Sequence, residues 1–96
     1  MTLAEVVKAS RREILEISDR HGALNVRVFG SLARDEAGPG SDLDLLVDVG
    51  PRHSPWFPAG LVADLEEILG CEVDVVTERG LREEIRETIL EEARLL

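Results

Sequence analysis

Residues 29–47 read FGSLARDEAGPGSDLDLLV and contain most of the information about the fold. Residues 38–40 (Gly-Pro-Gly) predict a tight turn, because glycine and proline are the strongest breakers of regular structure. On either side, residues 24–29 and 42–49 alternate between apolar and polar side chains, which is typical of half-buried strands. We therefore predict two antiparallel neighbouring strands, joined by a short helix over residues 31–37 and by the turn.

Apolar residues recur at helical spacing outside this stretch. We predict a first helix over residues 2–21, a helix from about Pro58 to Gly70, and a last helix from about Gly80 to residue 96. Residues 72–77 (EVDVVT) predict a third strand, parallel to the second because a helix joins the two. The order is then αβαβαβα, which predicts an α/β (α+β) fold with a small mixed sheet flanked by helices. The predicted inward-facing residues of the last helix are Leu81, Ile85, Ile89, Ala93 and Leu96.

Length, charge and cysteine content limit the class of protein. The 96 residues are enough for one domain, which we assign to residues 1–96. The 11 basic and 20 acidic residues give a net charge of −9, and only 3% of the residues are aromatic. This composition disfavours direct nucleic-acid binding and favours a basic protein partner or an anion bound with metal. No apolar stretch reaches the ~18 residues of a membrane span, and the single Cys71 fits a reducing compartment, so we expect a cytoplasmic protein.

Three aspartates are the candidate metal ligands and catalytic residues. Strand alternation puts Asp42 and Asp44 on one face, with their Cα atoms about 6.5–7 Å apart. Two carboxylates at that separation repel each other unless a cation lies between them, and Mg²⁺ prefers such hard oxygen ligands together with substrate phosphates. Asp74 lies between the apolar Val73 and Val75, where a charge is costly unless it is paired or metal-bound. The third strand can bring Asp74 to the same site.

The Gly30-Ser31 pair predicts a phosphate-binding turn beside these carboxylates. Glycine lets a phosphate approach the backbone closely, and the amide groups at the start of a helix bind anions. In the antiparallel arrangement, the pair returns beside the start of the second strand. Three carboxylates next to a phosphate cradle fit two-metal phosphoryl or nucleotidyl transfer, with Asp74 also a candidate for the general base.

Gly30-Ser31, ten intervening residues and Asp42-Leu43-Asp44 resemble the signature of the DNA polymerase β-like nucleotidyltransferase superfamily. The short length, GSLAR at residues 30–34 and VDVV at residues 73–76 make the chain similar to the minimal nucleotidyltransferase (MNT) family along essentially its whole length. The resemblance implies the polymerase β-like nucleotidyltransferase fold. Asp35 departs from the pattern, because the family commonly has glycine there. The site residues that the resemblance implies are Asp42, Asp44 and Asp74 for metal, and Gly30, Ser31 and Arg34 for the triphosphate.

The resemblance also implies a biological role. MNT proteins commonly pair with a helical HEPN protein, and some inhibit a HEPN ribonuclease toxin by transferring AMP from ATP to one of its tyrosines. It therefore implies an antitoxin that uses ATP and Mg²⁺, with two ions expected and a HEPN-type toxin as partner. Two alternatives remain open: a binding module that neutralises the toxin by occlusion, and nucleotidyl transfer to a small hydroxylated molecule. Open sheet edges also fit a homodimer or a hetero-oligomer.

Other interpretations of the acidic motif and of the histidines are disfavoured. An EF-hand calcium loop would need glycine where Val47 stands. A P-loop would need a lysine in the glycine-rich segment, but the only lysine is Lys8 in the first predicted helix. His21 and His53 have no metal-ligand spacing, and we expect neither to have a catalytic role.

The aromatic pair Trp56-Phe57 and the acids of the last helix have structural explanations. The aromatic side chains could cover a nucleotide base or contact a partner, but we favour packing over the core, where they would anchor the start of the following helix. The acids most simply form a solvated face, although such a face could engage a basic partner. They are Glu83, Glu84, Glu87, Glu91 and Glu92.

Overall fold

The structure is a computed structural model that describes residues 2–96 as a four-stranded mixed sheet with helices. The helices are α1 (Leu3–Ala9), α2 (Arg11–Arg20), α3 (Gly30–Ala33), α4 (Ala59–Leu69) and α5 (Glu83–Glu92), with a 3₁₀ turn at Glu78–Gly80. The strands are β1 (Ala23–Phe29), β2 (Leu43–Val49), β3 (Val73–Thr77) and β4 (Arg94–Leu95). Within residues 2–96, no helix has both the length and the apolar character needed to cross a bilayer.

The strand order is β3-β2-β1-β4. β1 is antiparallel to β2, with Phe29 opposite Asp44, and β2 is parallel to β3, with Leu43 opposite Val73. These pairings confirm the predicted mixed sheet and both predicted strand orientations. Because β1 ends where β2 and β3 begin, the segments that carry the glycine–serine pair and the three aspartates meet at one end of the sheet.

The hydrophobic core lies on one face of the sheet, beneath α1, α2 and α4. Alternate residues of β2 and β3 point into it, while the residues between them face the other way. Ser18 is a buried polar residue of this core, and its hydroxyl donates to the carbonyl of Ile14 at 2.7 Å. The burial of Ser18 therefore leaves no hydrogen-bonding group unsatisfied. The completely buried apolar residues of this core are Ile14, Leu43, Leu45, Val47, Leu61 and Leu65, and Leu46 is completely buried on the other face of the sheet.

The N-terminal segment forms two helices instead of the single helix predicted over residues 2–21. The capping box is present, since Oγ1 of Thr2 accepts from the Glu5 amide at 3.1 Å and the Glu5 carboxylate accepts from the Thr2 amide at 3.3 Å. The chain turns at Ser10, where φ is −101° and ψ is 9°. Serine is a weak helix former because it competes for backbone hydrogen bonds, and the bend lets both helices contribute buried residues to the core.

The prediction of one helix from Gly80 to residue 96 is wrong. Helix α5 has no buried residue, and the backbone becomes extended at Ala93, with φ −63° and ψ 136°. Strand β4 then pairs with β1, and the Leu96 amide donates to the carbonyl of Val26 at 3.1 Å. This pairing satisfies main-chain groups at the edge of β1 that a longer helix would leave open. The observed order therefore differs from αβαβαβα in the divided first helix and the added terminal strand.

The loop between β2 and α4 lies at the end of the sheet away from the aspartates. The expectation of core packing is correct for Phe57, which packs against the core, and wrong for Trp56, which is 80% exposed. Strands of this length span about 20 Å, and the loop follows the far end of β2. Neither ring is therefore positioned to cover a nucleotide bound near Gly30 and Asp44.

Leu45→Ala is expected to lower the free energy of unfolding by about 2–5 kcal/mol, because it opens a cavity at a completely buried site. Leu90→Ala is the matched control. Leu90 lies on α5 and is 37% exposed, so the same truncation should cost less than about 1 kcal/mol. Urea unfolding followed by circular dichroism measures both values, and equal losses would contradict a core that excludes α5.

Candidate active site

Asp44 and Asp74 lie side by side on the face of the sheet that points away from the core. They are register partners on the parallel strands β2 and β3, and register partners point to the same face. Their neighbours Leu43 and Val73 are buried on the opposite face. The structure therefore puts Asp74 on the same side of the sheet as Asp44, and Asp42 lies just before β2 with an exposed side chain.

The Asp44 carboxyl has a negative environment. Partial burial raises its pKa above the ordinary value, and the charges of Asp74 and Asp42 raise it further. The cation of Arg34 opposes this shift, while Glu92 adds to it. Burial penalises the charged form of an acid, and nearby like charges repel it. A divalent cation among these oxygens would remove the repulsion.

The three aspartates suit a divalent ion in their chemistry, and Asp44 and Asp74 point to the same side of the sheet. Mg²⁺ binds carboxylate oxygens, and it commonly takes one or two of them and completes its coordination with water and substrate phosphate. Among residues 2–96, no three His, Cys, Asp or Glu side chains lie close enough together to hold an ion in their present conformations. Asp42 and Asp74 are exposed, so their side chains can rotate towards an ion that arrives with the substrate.

Glycine at position 30 is required by the neighbouring carboxylate as well as by its own backbone. Gly30 has a φ of +74°, in the left-handed region that favours glycine. A Cβ at this position would overlap Oδ2 of Asp44 and lie 3.0 Å from Cγ of the same side chain. We expected this glycine to admit a phosphate; the group that approaches it closely in the structure is the Asp44 carboxylate.

The Gly30 amide and the Arg34 guanidinium bind the same carboxylate, that of Glu92 at the end of α5. The amide donates to Oε1 of Glu92 at 2.9 Å, and Nη1 of Arg34 donates to Oε2 at 3.2 Å. Nε of Arg34 also donates to Glu36 at 2.9 Å. Hydrogen bonds to Glu36 and then to Glu92 raise the pKa of Arg34 above its ordinary value, so this side chain is a permanent cation.

Glu92 is the residue of this site that sequence patterns do not identify. Helical spacing assigns it to a solvated acidic face, but its side chain is only 18% exposed. It lies 62 positions from Gly30 in the sequence, and no local spacing signals a contact over that distance. Ser31, which the motif does identify, is partly exposed, and its carbonyl accepts from the Glu36 amide at 2.8 Å.

The backbone conformation at residue 35 is compatible with aspartate as well as with the glycine that is common in the MNT family. The short helix predicted over residues 31–37 ends at Ala33, and Asp35 then adopts a φ of +59°. Glycine reaches this left-handed conformation without steric cost, and aspartate is among the few other residues that tolerate it. Aspartate in place of glycine at position 35 is therefore compatible with the left-handed turn.

His21 makes structural contacts at the opposite end of the sheet. Its Nδ1 lies 2.8 Å from Oγ of Ser54, and its Nε2 lies 2.7 Å from Oδ2 of Asp64. The residue types are those of a nucleophilic triad, but His21 precedes β1 and lies a strand length away from Asp44. We interpret these contacts as structural, because they hold the loop after β2 against α2 and α4.

This combination of sheet, turn and paired carboxylates defines the class of protein. Residues 11–96 match the nucleotidyltransferase domain family, and the chain belongs to that family. Within it, the chain is similar to the minimal type: a solved structure described as a candidate minimal nucleotidyltransferase has 48% identity and a TM-score of 0.85, covering 100% of this chain and 97% of that one. These matches confirm the resemblance found in the sequence.

One further relative and one solved structure of similar fold carry functional descriptions of their own. The protein adenylyltransferase MntA of Thermococcus cleftensis is 36% identical over 92 residues, which cover 96% of this chain and 93% of that protein. A toxin–antitoxin structure solved with AMP-PNP has a TM-score of 0.74 and 17% identity, covering 88% of this chain and 69% of that one. At 17% identity, the second likeness establishes the fold alone.

Gly30→Ala is expected to destabilise the protein by about 1–3 kcal/mol, because alanine is strained at a positive φ and its Cβ would displace Asp44. Gly38→Ala is the matched control, since a Cβ there meets no atom within 4 Å, and its effect should stay within about 0.5 kcal/mol. Thermal unfolding of the two variants measures the difference. Similar values for both would mean that the contact with Asp44 is absent in solution.

The raised pKa of Asp44 predicts how stability depends on pH in metal-free protein. The folded state holds this proton more tightly than the unfolded chain, so the free energy of unfolding falls as pH rises from 3.8 through the raised folded-state pKa. Asp44→Asn removes this pH-dependent fall in the free energy of unfolding, because asparagine carries no titrating carboxyl. It is expected to stabilise the metal-free protein near neutral pH by roughly 0.5 kcal/mol, because partial exposure screens the repulsion.

Urea unfolding near neutral pH and below the ordinary Asp pKa measures this effect, and the gain should vanish at the lower pH. Asp48→Asn is the contrasting variant on the same strand. Asp48 pairs with Arg27 at 3.0 Å, so its replacement should destabilise slightly at neutral pH. A loss of stability from Asp44→Asn would contradict the negative environment described for this carboxyl.

Proposed function

We propose that this chain is an Mg²⁺-dependent adenylyltransferase that transfers AMP from ATP to a tyrosine of a HEPN toxin and thereby acts as an antitoxin. The observation that carries the proposal is the pairing of Asp44 with Asp74 across β2 and β3, next to the Gly30-Ser31 turn. MntA supports a protein acceptor, because it is named a protein adenylyltransferase. The toxin–antitoxin structure with AMP-PNP, an ATP analogue, supports both the nucleotide and the kind of partner.

In this proposal the motif residues divide between metal and phosphate. Asp42, Asp44 and Asp74 would hold two Mg²⁺ ions, which supply charge neutralisation at the triphosphate and activation of the acceptor oxygen. The phosphates would be bound by the amide of Gly30, the hydroxyl of Ser31 and the guanidinium of Arg34. Arginine suits this role because it keeps its charge and matches phosphate geometry.

The proposed reaction is an in-line displacement at the α-phosphorus of ATP. The tyrosine oxygen forms a bond to that phosphorus, the bond from phosphorus to the α–β bridging oxygen breaks, and pyrophosphate leaves. Asp74 is the candidate acceptor for the tyrosine proton, since a general base must come within hydrogen-bonding reach of the group it deprotonates. Asp74 lies on the edge strand β3 and is exposed, so a hydroxyl presented by another protein can reach it.

The charge of the chain fits a protein partner better than a nucleic acid. A net charge of −9 repels phosphate backbones and attracts basic surfaces. Charge complementarity raises the rate at which two proteins associate and discriminates against wrong partners. A basic surface near the target tyrosine of the toxin would therefore favour docking to this domain.

A non-catalytic antitoxin that covers a HEPN ribonuclease is the second candidate. The observation that favours it is the exposure of two large apolar side chains outside the aspartate site, Trp56 at 80% and Leu95 at 75%. Aromatic residues are enriched at protein–protein interfaces. In this case protection against the toxin would depend on the interface and would survive loss of the aspartates.

A labelling experiment with the cognate HEPN protein tests transfer. With ATP labelled at the α-phosphate and Mg²⁺, the wild-type chain should label the toxin, whereas label at the γ-phosphate should not be transferred. Asp42→Asn combined with Asp44→Asn should lower the rate by about 100-fold or more, because charge stabilisation in the transition state is lost. Asp48→Asn on the same strand is the matched control and should retain activity.

The outcomes separate the candidates. Undiminished transfer by the double variant would contradict the assigned mechanism. Full protection of cells by the double variant, without transfer, would favour occlusion. Label on a small hydroxylated compound, and none on the toxin, would favour the small-molecule alternative.

A further inference from the structure

Glu92 differs from the other acids of α5 in its surroundings. Glu83, Glu84, Glu87 and Glu91 are exposed, whereas the Glu92 side chain is largely buried against the start of α3. It is the last residue of α5 and faces the turn at Gly30. Its position brings a fourth carboxylate into the neighbourhood of the three aspartates.

Glu92 occupies two of the three groups proposed to bind phosphate, the Gly30 amide and the Arg34 guanidinium. Its Oε1 accepts from the Gly30 amide at 2.9 Å, and its two oxygens lie 3.2 and 3.3 Å from Nη1 of Arg34. A carboxylate that accepts from a main-chain amide and a guanidinium makes the same charge-assisted contacts as a phosphate oxygen. Since the Gly30 N–H points at Glu92, a phosphate oxygen cannot take the same position at the same time.

The contact can open locally because α5 itself contributes nothing to the core, although the pairing of β4 with β1 anchors the chain just after Glu92. No residue of α5 is buried, and none belongs to the hydrophobic core or packs against it. An ion pair between Arg86 and Glu78 at 3.2 Å links α5 to the segment before it, and exposed pairs of this kind contribute little to stability. Segments with few buried apolar contacts open with small free energies. The Glu92 side chain can also leave by rotation about its own bonds.

We propose that Glu92 is an internal competitor for the nucleotide: in the nucleotide-free protein its carboxylate holds the Gly30 amide and Arg34, and the triphosphate must displace it to bind. The inference rests on the proposed function, because it takes these two groups, together with the Ser31 hydroxyl, as the phosphate donors of the nucleotide site. Glu92 then closes the site when nucleotide is absent and is neither a metal ligand nor a residue that orients Arg34 for phosphate.

The contact of Glu92 with Gly30 and Arg34 is expected to weaken nucleotide binding by a measurable factor. When only a fraction of the molecules is open, the apparent dissociation constant is the intrinsic constant divided by that fraction. Weakening the closed state raises the open fraction and tightens binding. A metal ligand or a positioning residue would behave in the opposite way, because its removal would weaken binding.

Calorimetric titration with AMP-PNP and Mg²⁺ tests the proposal on three proteins: wild type, Glu92→Gln and Glu91→Gln. Glu92→Gln removes the charge that pairs with Arg34 and should tighten binding by about three- to tenfold. Glu91→Gln makes the same change in charge at the adjacent, exposed position of α5 and should bind like wild type. Thermal unfolding of each variant verifies that it is folded.

A second readout uses the wild-type chain alone. The amide resonance of Gly30 should shift when AMP-PNP and Mg²⁺ are added, and the side-chain carboxyl carbon of Glu92 should shift with it as that group is released. A Glu92 resonance unchanged at saturation would overturn the proposal without any substitution.

The outcomes distinguish this inference from the function on which it rests. If wild type binds AMP-PNP and Glu92→Gln binds equally or more weakly, the competitor role is wrong and the nucleotide site stands. If none of the three proteins binds AMP-PNP, both the nucleotide site and the competitor role are wrong. If Glu91→Gln also binds AMP-PNP more tightly than wild type, the change in net charge explains the tighter binding of both variants. That result would also overturn the proposal.

Discussion

Repulsion among aspartates on one face of the sheet is the constraint on which the candidate site depends. β2 and β3 pair in a register that sets Asp44 beside Asp74, and Asp42 adds a third charge close by. The strands cannot move apart to relieve this repulsion, because Leu43 and Val73 are buried in the core behind them and close-packed cores resist such shifts. The negative charge is therefore built into the sheet, and a divalent cation is the partner that suits it.

The turn at Gly30 is also surrounded by negative charge, because two carboxylates approach it. Asp44 fills the space where a side chain of residue 30 would lie, and Glu92 accepts from the main-chain amide of Gly30. Without substrate, carboxylates thus stand both where metal is proposed to bind and where phosphate is proposed to bind. Cations that arrive with a triphosphate would remove the repulsion among the aspartates. The triphosphate itself would replace the Glu92 carboxylate at the Gly30 amide.

The strands and the motif residues could be predicted from the sequence because their signals are local. Alternation in LDLLV places β2 to within a residue, and a spacing of two puts Asp42 and Asp44 on one side of it. Strand β4 has only two residues and no periodicity of its own, so its pairing with β1 depends on tertiary structure. The contact of Glu92 with Gly30 depends on the same chain reversal, and helical spacing cannot distinguish Glu92 from the exposed acids before it.

The central claim is that the aspartates on this face gather around divalent cations that bind with nucleotide. The most direct measurement is a crystal structure with Mn²⁺, as an anomalous substitute for Mg²⁺, and AMP-PNP. The account predicts anomalous peaks about 2.1 Å from carboxylate oxygens of Asp42 and Asp44, on the side of the sheet that also carries Asp74. Nucleotide and manganese bound elsewhere, with no peak at these two residues, would contradict it.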